Sequence, residues 1–227
     1  MCGRFTLVAD QAQVIDTFHI QDVQYELAPR YNIAPTQTIA GVLTNDEGER
    51  SLQGFHWGLL PFWAKSKKLA YSTFNARAET LQSKPTFRSA FPTKRMVVVA
   101  DGFYEWAHEG NEKQPYRFRV QSNEVFAFAG LYDHWKSPEG QLVQSCTIIT
   151  TDPNKLTSKV HDRMPVILGE EELKVWLDPG VSDKELLQGL LRPYDAEDMF
   201  CYPVSKSVGN VRNQAAELIE EIPLNSR

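Results

Sequence analysis

The stretch KRMVVVADGFYEWAHEGNEKQPYRFRVQSNEVFAFAGLYDHW, residues 94–135, decides the fold. β-Branched and aromatic residues fall into short runs at 96–100, 103–106, 116–120 and 125–131, separated by Gly, Asn, Asp and Ser. Such runs between turn residues predict strands at short spacing. QLVQSCTIITT (141–151) continues the pattern as a further strand. Upstream, TIAGVLT and SLQGFHWGL flank the polar segment NDEGER and predict a hairpin.

Helices are expected around this centre. In ADQAQVIDTFHI, Asp10 can cap a short helix that buries Val14, Ile15 and Phe18. GEEELKVWL and SDKELLQGLLRPY predict two more, and the tail YPVSKSVGNVRNQAAELIEEI is expected to begin extended and end helical. In RYNIAPTQ, Pro35 favours an extended Ala34, hence a loop leading into a strand. LPFWAKSKKLAYSTFNARAET has no sustained period and predicts a long surface loop running into a short element. Strands in the middle with helices outside give the class α+β, a single domain over 1–227 around a mainly antiparallel sheet or barrel with peripheral helices.

A chain of 227 residues can bury a substantial core, and 42% apolar with 23% charged residues is ordinary for a globular protein. No run reaches the roughly 20 apolar residues of a membrane span, and no basic-then-apolar leader opens the chain, so a cytoplasmic protein is expected. Cys2, Cys146 and Cys201 have no paired spacing, which indicates neither a disulfide framework nor a zinc site, and no cofactor motif is evident. The net charge of −5 alone argues against nucleic acid. Between residues 63 and 95, however, eight cations meet one acid, Glu79, a local charge of +7 that could steer an anion to one face. A merely solvated basic stretch has the same composition.

Cys2 stands directly behind the initiator in MCGRF. Removal of Met1 is expected and would leave Cys2 with a free amine and a free thiol on adjacent carbons. The amine titrates near about 8 and the thiol near about 8.5, so both are nucleophiles within reach of neutral pH. A 1,2-aminothiol condenses with an aldehyde to an imine, and its thiol then closes a five-membered thiazolidine intramolecularly. An N-terminal cysteine can also attack amides with its own amine as base.

Four more patches carry polar chemistry. FNARAE places Asn75 and Arg77 on one face of an extended segment, where an amide and a guanidinium could address one anion. DGFYEW puts Glu105 within an aromatic strand, where desolvation raises a carboxyl pKa towards the acid-base range. VHDRMP sets His161 two residues before Arg163, and VSKSVGNVRN gathers Lys206, Asn210 and Arg212 around Gly209. Each patch could be an ordinary surface feature alone; jointly they form a candidate site of nucleophile, acid-base pair and anion clamp.

MCGRF, RYNIAPTQ, WGLLPFW, FNARAET, DGFYEW, HDRMP and VSKSVGN, in this order across essentially the whole chain, resemble the SOS-response-associated peptidase family, whose members shield abasic sites in single-stranded DNA. The resemblance implies a compact α+β barrel with a positive groove leading to Cys2. It implies catalytic roles for Cys2, Asn75, Glu105 and His161. It also implies DNA contacts by Arg4, Asn32, Trp63, Arg77, Arg163, Lys206 and Arg212, with Trp63 as a base-stacking or wedge position. The implied partner is single-stranded DNA containing abasic sites, met by a monomer in the cytoplasm that associates with the nucleoid when bound. The implied chemistry is a covalent thiazolidine crosslink, with Schiff-base lyase and autoproteolytic activity as accompaniments. An N-terminal-nucleophile hydrolase of the glutamine amidotransferase type, a peptidase, and a non-catalytic DNA-binding module remain alternatives.

Overall fold

The computed structural model describes residues 2–110, 112–122 and 124–223. In chain order the strands are β1 (Phe5–Leu7), β2 (Asp22–Val23), β3 (Arg30–Ile33), β4 (Thr38–Thr44), β5 (Arg50–Trp57), β6 (Asn75–Arg77) and β7 (Arg95–Ala100). They continue with β8 (Gly102–Glu109), β9 (Glu112–Val120), β10 (Phe126–Lys136), β11 (Leu142–Thr151), β12 (Met164–Pro165), β13 (Ile167–Leu168) and β14 (Met199–Pro203). Three short helices are peripheral: α1 (Gln11–Phe18), α2 (Glu170–Leu177) and α3 (Lys184–Gly189).

All six residues of β7 are buried, so it has no solvent face and its sequence shows none of the alternation of a half-buried strand. It lies between β10 and β4 in the ring β11-β10-β7-β4-β5. The ring closes where β5 meets β11 in parallel, His56 opposite Ser145 and Trp57 opposite Cys146. Closure leaves no free edge among these five strands, and the other four pairings are antiparallel, two of them, β4 with β5 and β10 with β11, joined by short hairpin connections. The barrel interior is filled by side chains: a Cβ on Gly41 would fall 2.1 Å from the end of Met96, so only glycine fits.

A second, wholly antiparallel sheet runs β14-β9-β8-β1-β3 and packs against the barrel through aromatic rings. Phe5 meets Trp57 and Phe128 edge-on at 5.2 and 5.9 Å, and Phe103 meets Phe128 at 6.0 Å. This seam places the N-terminal end of β1 between sheet and barrel. Met1, whose removal was expected, lies outside the described residues.

The helices form as patterned. Asp10 accepts from the Gln13 amide at 2.8 Å, capping α1, which buries Val14 and Phe18. On α2, Trp176 is fully buried and donates its indole N–H to the Met96 carbonyl at 2.9 Å, locking the helix to β7. Trp176→Ala is expected to cost about 3–5 kcal/mol in urea unfolding, from lost burial and the cavity left behind.

Three segments differ from expectation. Arg30–Ile33 is a strand rather than a loop, because β1 offers it a free edge with Phe5 opposite Ile33. The β8–β9 hairpin extends outward through residues 107–109 and 112–114, since direct pairing from Phe103 with Phe118 out to Glu109 with Glu112 outweighs the weak β preference of these largely polar residues. The tail does not end in an α-helix: Lys206–Gly209 and Ala216–Ile219 are 3₁₀ turns. Val204, Val208 and Leu218 pack together with Tyr104, whereas a continuous helix would set the first and last of them about 21 Å apart along its axis, so the tail folds back instead. Among the described residues no helix is long and apolar enough to cross a membrane.

Candidate active site

Cys2 precedes β1 and inherits its position from that strand's pairing. Phe5 lies opposite Phe103, Thr6 opposite Gly102, and the Tyr104 amide donates to the Arg4 carbonyl at 2.9 Å. The same register one step outward sets Gly3 beside Glu105. The Cys2 side chain is fully buried, its sulfur 4.0 Å from the Arg4 carbonyl. Burial, with the Glu105 carboxylate adding to it, pushes the thiol well above its ordinary range. At neutral pH this sulfur is therefore a thiol that needs a proton acceptor to react.

Glu105 shares a strand face with Phe103, two residues earlier, so it points to the barrel side and is 3% exposed. Burial, with the Asp162 charge adding to it, pushes the Glu105 pKa up to about 8. His161 reaches the same carboxyl, its Nε2 3.8 Å from Oε2. The Arg163 amide donates to His161 Nδ1 at 3.0 Å. Nδ1 also lies 3.2 Å from the Arg163 carbonyl oxygen and 3.1 Å from Asp162 Oδ1, which only accept, so the neutral ring fits either tautomer, with Nε2 facing Glu105. Burial lowers the His161 pKa, which favours that neutral form.

Asn75 opens β6, which runs parallel to β11 with Asn75 opposite Ile148. The preceding Phe74 packs edge-on against Trp57 at 6.0 Å and accepts its indole N–H at 2.8 Å. Trp57 in turn touches Phe5, so a chain of three rings carries β6 towards β1. The Asn75 amide nitrogen donates to the Phe74 carbonyl at 3.2 Å, while its Oδ1 is buried with no partner among the described residues. A buried acceptor left open costs about 1–3 kcal/mol and marks a place where a ligand donor fits.

The residues expected on DNA divide into two groups. Arg77, Arg212 and Trp63 are exposed. Lys206 is exposed and paired with Glu112. Arg4, Asn32 and Arg163 are occupied internally. Arg4 donates to the carbonyls of Val208 and Gly209 and to Asn32 Oδ1, with its guanidinium 5.8 Å over Trp106. Asn32 is fully buried, its amide nitrogen 3.0–3.1 Å from the carbonyls of Val208, Asn210 and Asn213, so it shapes the turn beside Arg4. Arg163 forms a two-pronged pair with Glu79 at 2.9 and 3.0 Å and donates to Thr150 O at 2.7 Å. That clamp joins the segment after Asn75 to the loop bearing His161. The basic run 63–95 is likewise thinned: Arg95 is buried under the carbonyls of Trp176, Asp178 and Val181, and Lys94 holds the buried Asp133.

Arg163→Gln is expected to lower stability by about 1–3 kcal/mol, since charge-assisted bonds are lost inside the fold. Urea unfolding checks this. A residue serving mainly as a phosphate contact would instead leave stability unchanged and reduce the salt dependence of DNA binding.

A cleft of ≈ 380 Å³ lies over the site, with Glu105 and His161 at one part and Trp106, His108 and Lys113 extending it outward. Sequence reasoning passed over the last three, although two-residue alternation from Tyr104 through Trp106 to His108 would have placed them on one face. Among the described residues no group of three His, Cys, Asp or Glu side chains could hold a metal ion.

Comparison with known proteins agrees with this geometry. The family model described as SOS response associated peptidase (SRAP) matches residues 1–211. A Bacillus subtilis protein named abasic site processing protein YoqW is 48% identical over 223 residues, 97% of this chain and 99% of that one. The abasic site processing protein HMCES of Xenopus tropicalis is 36% identical over 231 residues, 88% of this chain and 68% of that one. A crystal structure of a protein from Bacteroides thetaiotaomicron superposes with a TM-score of 0.89 at 31% identity, covering 98% of this chain and all of that one. By sequence and by fold, this chain belongs to the SOS response associated peptidase family.

Proposed function

We propose that this protein processes abasic sites in DNA, and that it does so by capturing the open-chain sugar aldehyde covalently on Cys2 once Met1 has been removed. The relatives named for abasic site processing support the role, and one observation carries the chemistry: the buried Cys2 sits beside a carboxyl held at about 8. A group with that pKa carries its proton at neutral pH and can give it up and take it back.

The steps follow from the side chains present. Neutral His161 takes the C1′ hydroxyl proton as the C1′–O4′ bond breaks and returns it to the departing ring oxygen, so the hemiacetal opens to the C1′ aldehyde with no net change at the imidazole. The Cys2 amine adds to C1′, forming a carbinolamine. Glu105 protonates the departing hydroxyl, water leaves, and an iminium remains. The Cys2 sulfur then bonds to C1′ while its proton passes to the Glu105 carboxylate, restoring the acid and closing the thiazolidine. One aldehyde and one aminothiol give one ring and one water. The raised thiol pKa fits this order, because sulfur keeps its proton until Glu105 is ready to accept it. Asn75 would receive a sugar hydroxyl or the Cys2 amine, a role that its unpartnered buried Oδ1 supports. If the ring fails to close, the iminium can undergo β-elimination, which is lyase chemistry.

The preferred substrate is a single strand, because exposed Trp63 and exposed Arg77 suit unstacked bases and a flexible backbone. Incubation with an abasic oligonucleotide should yield a slow-migrating protein–DNA species on a denaturing gel without borohydride. A species that appears only after borohydride, or none at all, contradicts thiazolidine capture.

A further inference from the structure

The cleft over the site continues past the reacting groups, along the face of β8 that carries Tyr104, Trp106 and His108. Exposure rises along this line: Tyr104 is buried, Trp106 half-buried and His108 exposed. His108 pairs directly with Lys113 across the hairpin, so their side chains stand on the same face within about 5 Å of each other at Cβ. Neither side chain bonds to any described residue. The nearby acid on β9, Glu112, is engaged by Lys206 and belongs to the opposite strand face. His108 and Lys113 line the same cleft as Glu105 and His161, which makes the pair part of the site's wall. Arg4, lying over Trp106 with its guanidinium tied to carbonyls, walls the inner end of this path.

We propose that His108 and Lys113 form a phosphodiester subsite that holds the DNA backbone on one side of the captured sugar, and so decides which way the strand runs through the cleft. The subsite rests on the proposed action on abasic DNA. Its ligand is one phosphate, bonded by the Lys113 ammonium and by an imidazole N–H of His108, which a histidine can supply in either charge state. Residues 105 and 108 are about 10 Å apart along β8, so the phosphate belongs within a nucleotide or two of the lesion. Trp106, between them, faces whatever base or sugar bridges that gap.

The test uses full-length protein and oligonucleotides carrying a tetrahydrofuran site, which binds without reacting, with one neutral methylphosphonate linkage moved through successive positions on both sides. Wild-type protein should lose affinity, by roughly threefold to tenfold, at one or two positions on a single side. The double variant His108→Gln/Lys113→Gln should bind the all-phosphate strand more weakly by a similar factor. It should also be indifferent to the neutral linkage at those positions while remaining sensitive elsewhere. A double variant that keeps the wild-type pattern at every position overturns the subsite. Capture of a reactive abasic oligonucleotide is measured in parallel. Normal capture with no position-specific coupling removes only the subsite, whereas absence of both binding and capture by wild-type protein removes the reading it rests on.

Discussion

Replacing Cys2 with serine is expected to reduce stable crosslinking to abasic DNA below roughly one hundredth of the wild-type amount, while leaving an imine that borohydride can trap. The amine is unchanged by this substitution, so the first condensation survives. The hydroxyl is a far weaker nucleophile at neutral pH than sulfur, so the ring does not close. Because position 2 is fully buried, the new hydroxyl also costs about 1–3 kcal/mol unless it finds a partner, and the variant's thermal melt must accompany the assay. A folded Cys2→Ser protein that crosslinks like the wild type would remove the thiol from the mechanism. Cys2→Ala complements it: reversible DNA binding should persist, since the side chain is not on the exposed surface that meets the strand.

The second large effect belongs to Glu105. Glu105→Gln keeps the shape but can neither donate nor accept the proton that the carbinolamine and the thiol exchange, and capture should slow by about 10²–10³-fold. Burial also makes a stability prediction with a definite sign. The carboxyl titrates at about 8 in the folded chain against 4.5 ordinarily, so the folded state holds the proton more tightly. Below pH 4.5 both states are protonated and the residue is neutral to stability. As pH rises through 4.5 towards 8, the unfolded chain releases its proton first and gains, so Glu105 progressively destabilises the fold. Glutamine never ionises, so the melting temperature of Glu105→Gln relative to wild type should climb over that window, by several degrees at its alkaline end. Melts at a series of pH values check it. The wild-type capture rate should itself decline above pH 8 as the acid form is lost, and a rate that keeps rising there would place the proton donor elsewhere.

Much of the barrel was legible because its strands carry β-branched and aromatic runs punctuated by turn residues. Residues 96–100 fall inside β7, residues 125–131 meet β10 from its first residue, Phe126, and the hairpin around residues 45–49 is β4 and β5. Harder to read were elements held by their neighbours. Arg30–Ile33 is a strand because β1 leaves an edge open, and the outer half of the β8–β9 hairpin pairs Glu, Lys and Gln residues that a single-chain pattern assigns to a turn. The parallel contact that closes the barrel joins His56 with Ser145 and is invisible to local periodicity.

At the site, residue chemistry was easier to read than residue commitment. Glu105 within an aromatic strand announced a desolvated carboxyl, and it is one. Spacing could not reveal that Arg163 grips Glu79, that Arg4 is tied to the 208–209 carbonyls, or that Asn32 is an interior amide organising the same turn. These polar groups hold the turn at residues 208–213 and join the segment after Asn75 to the loop bearing His161. His108 and Lys113 went unnoticed because neither sits in a motif, and only the cross-strand register makes them neighbours.

The most direct measurement is a carbon-13 spectrum of the complex formed with an oligonucleotide labelled at C1′ of the abasic sugar. Capture on the Cys2 aminothiol predicts a single saturated carbon bonded to both nitrogen and sulfur, present without reductant and absent with Cys2→Ser. A C1′ signal that stays an aldehyde or hemiacetal, or that rests as an unsaturated imine in the wild-type complex, would contradict it.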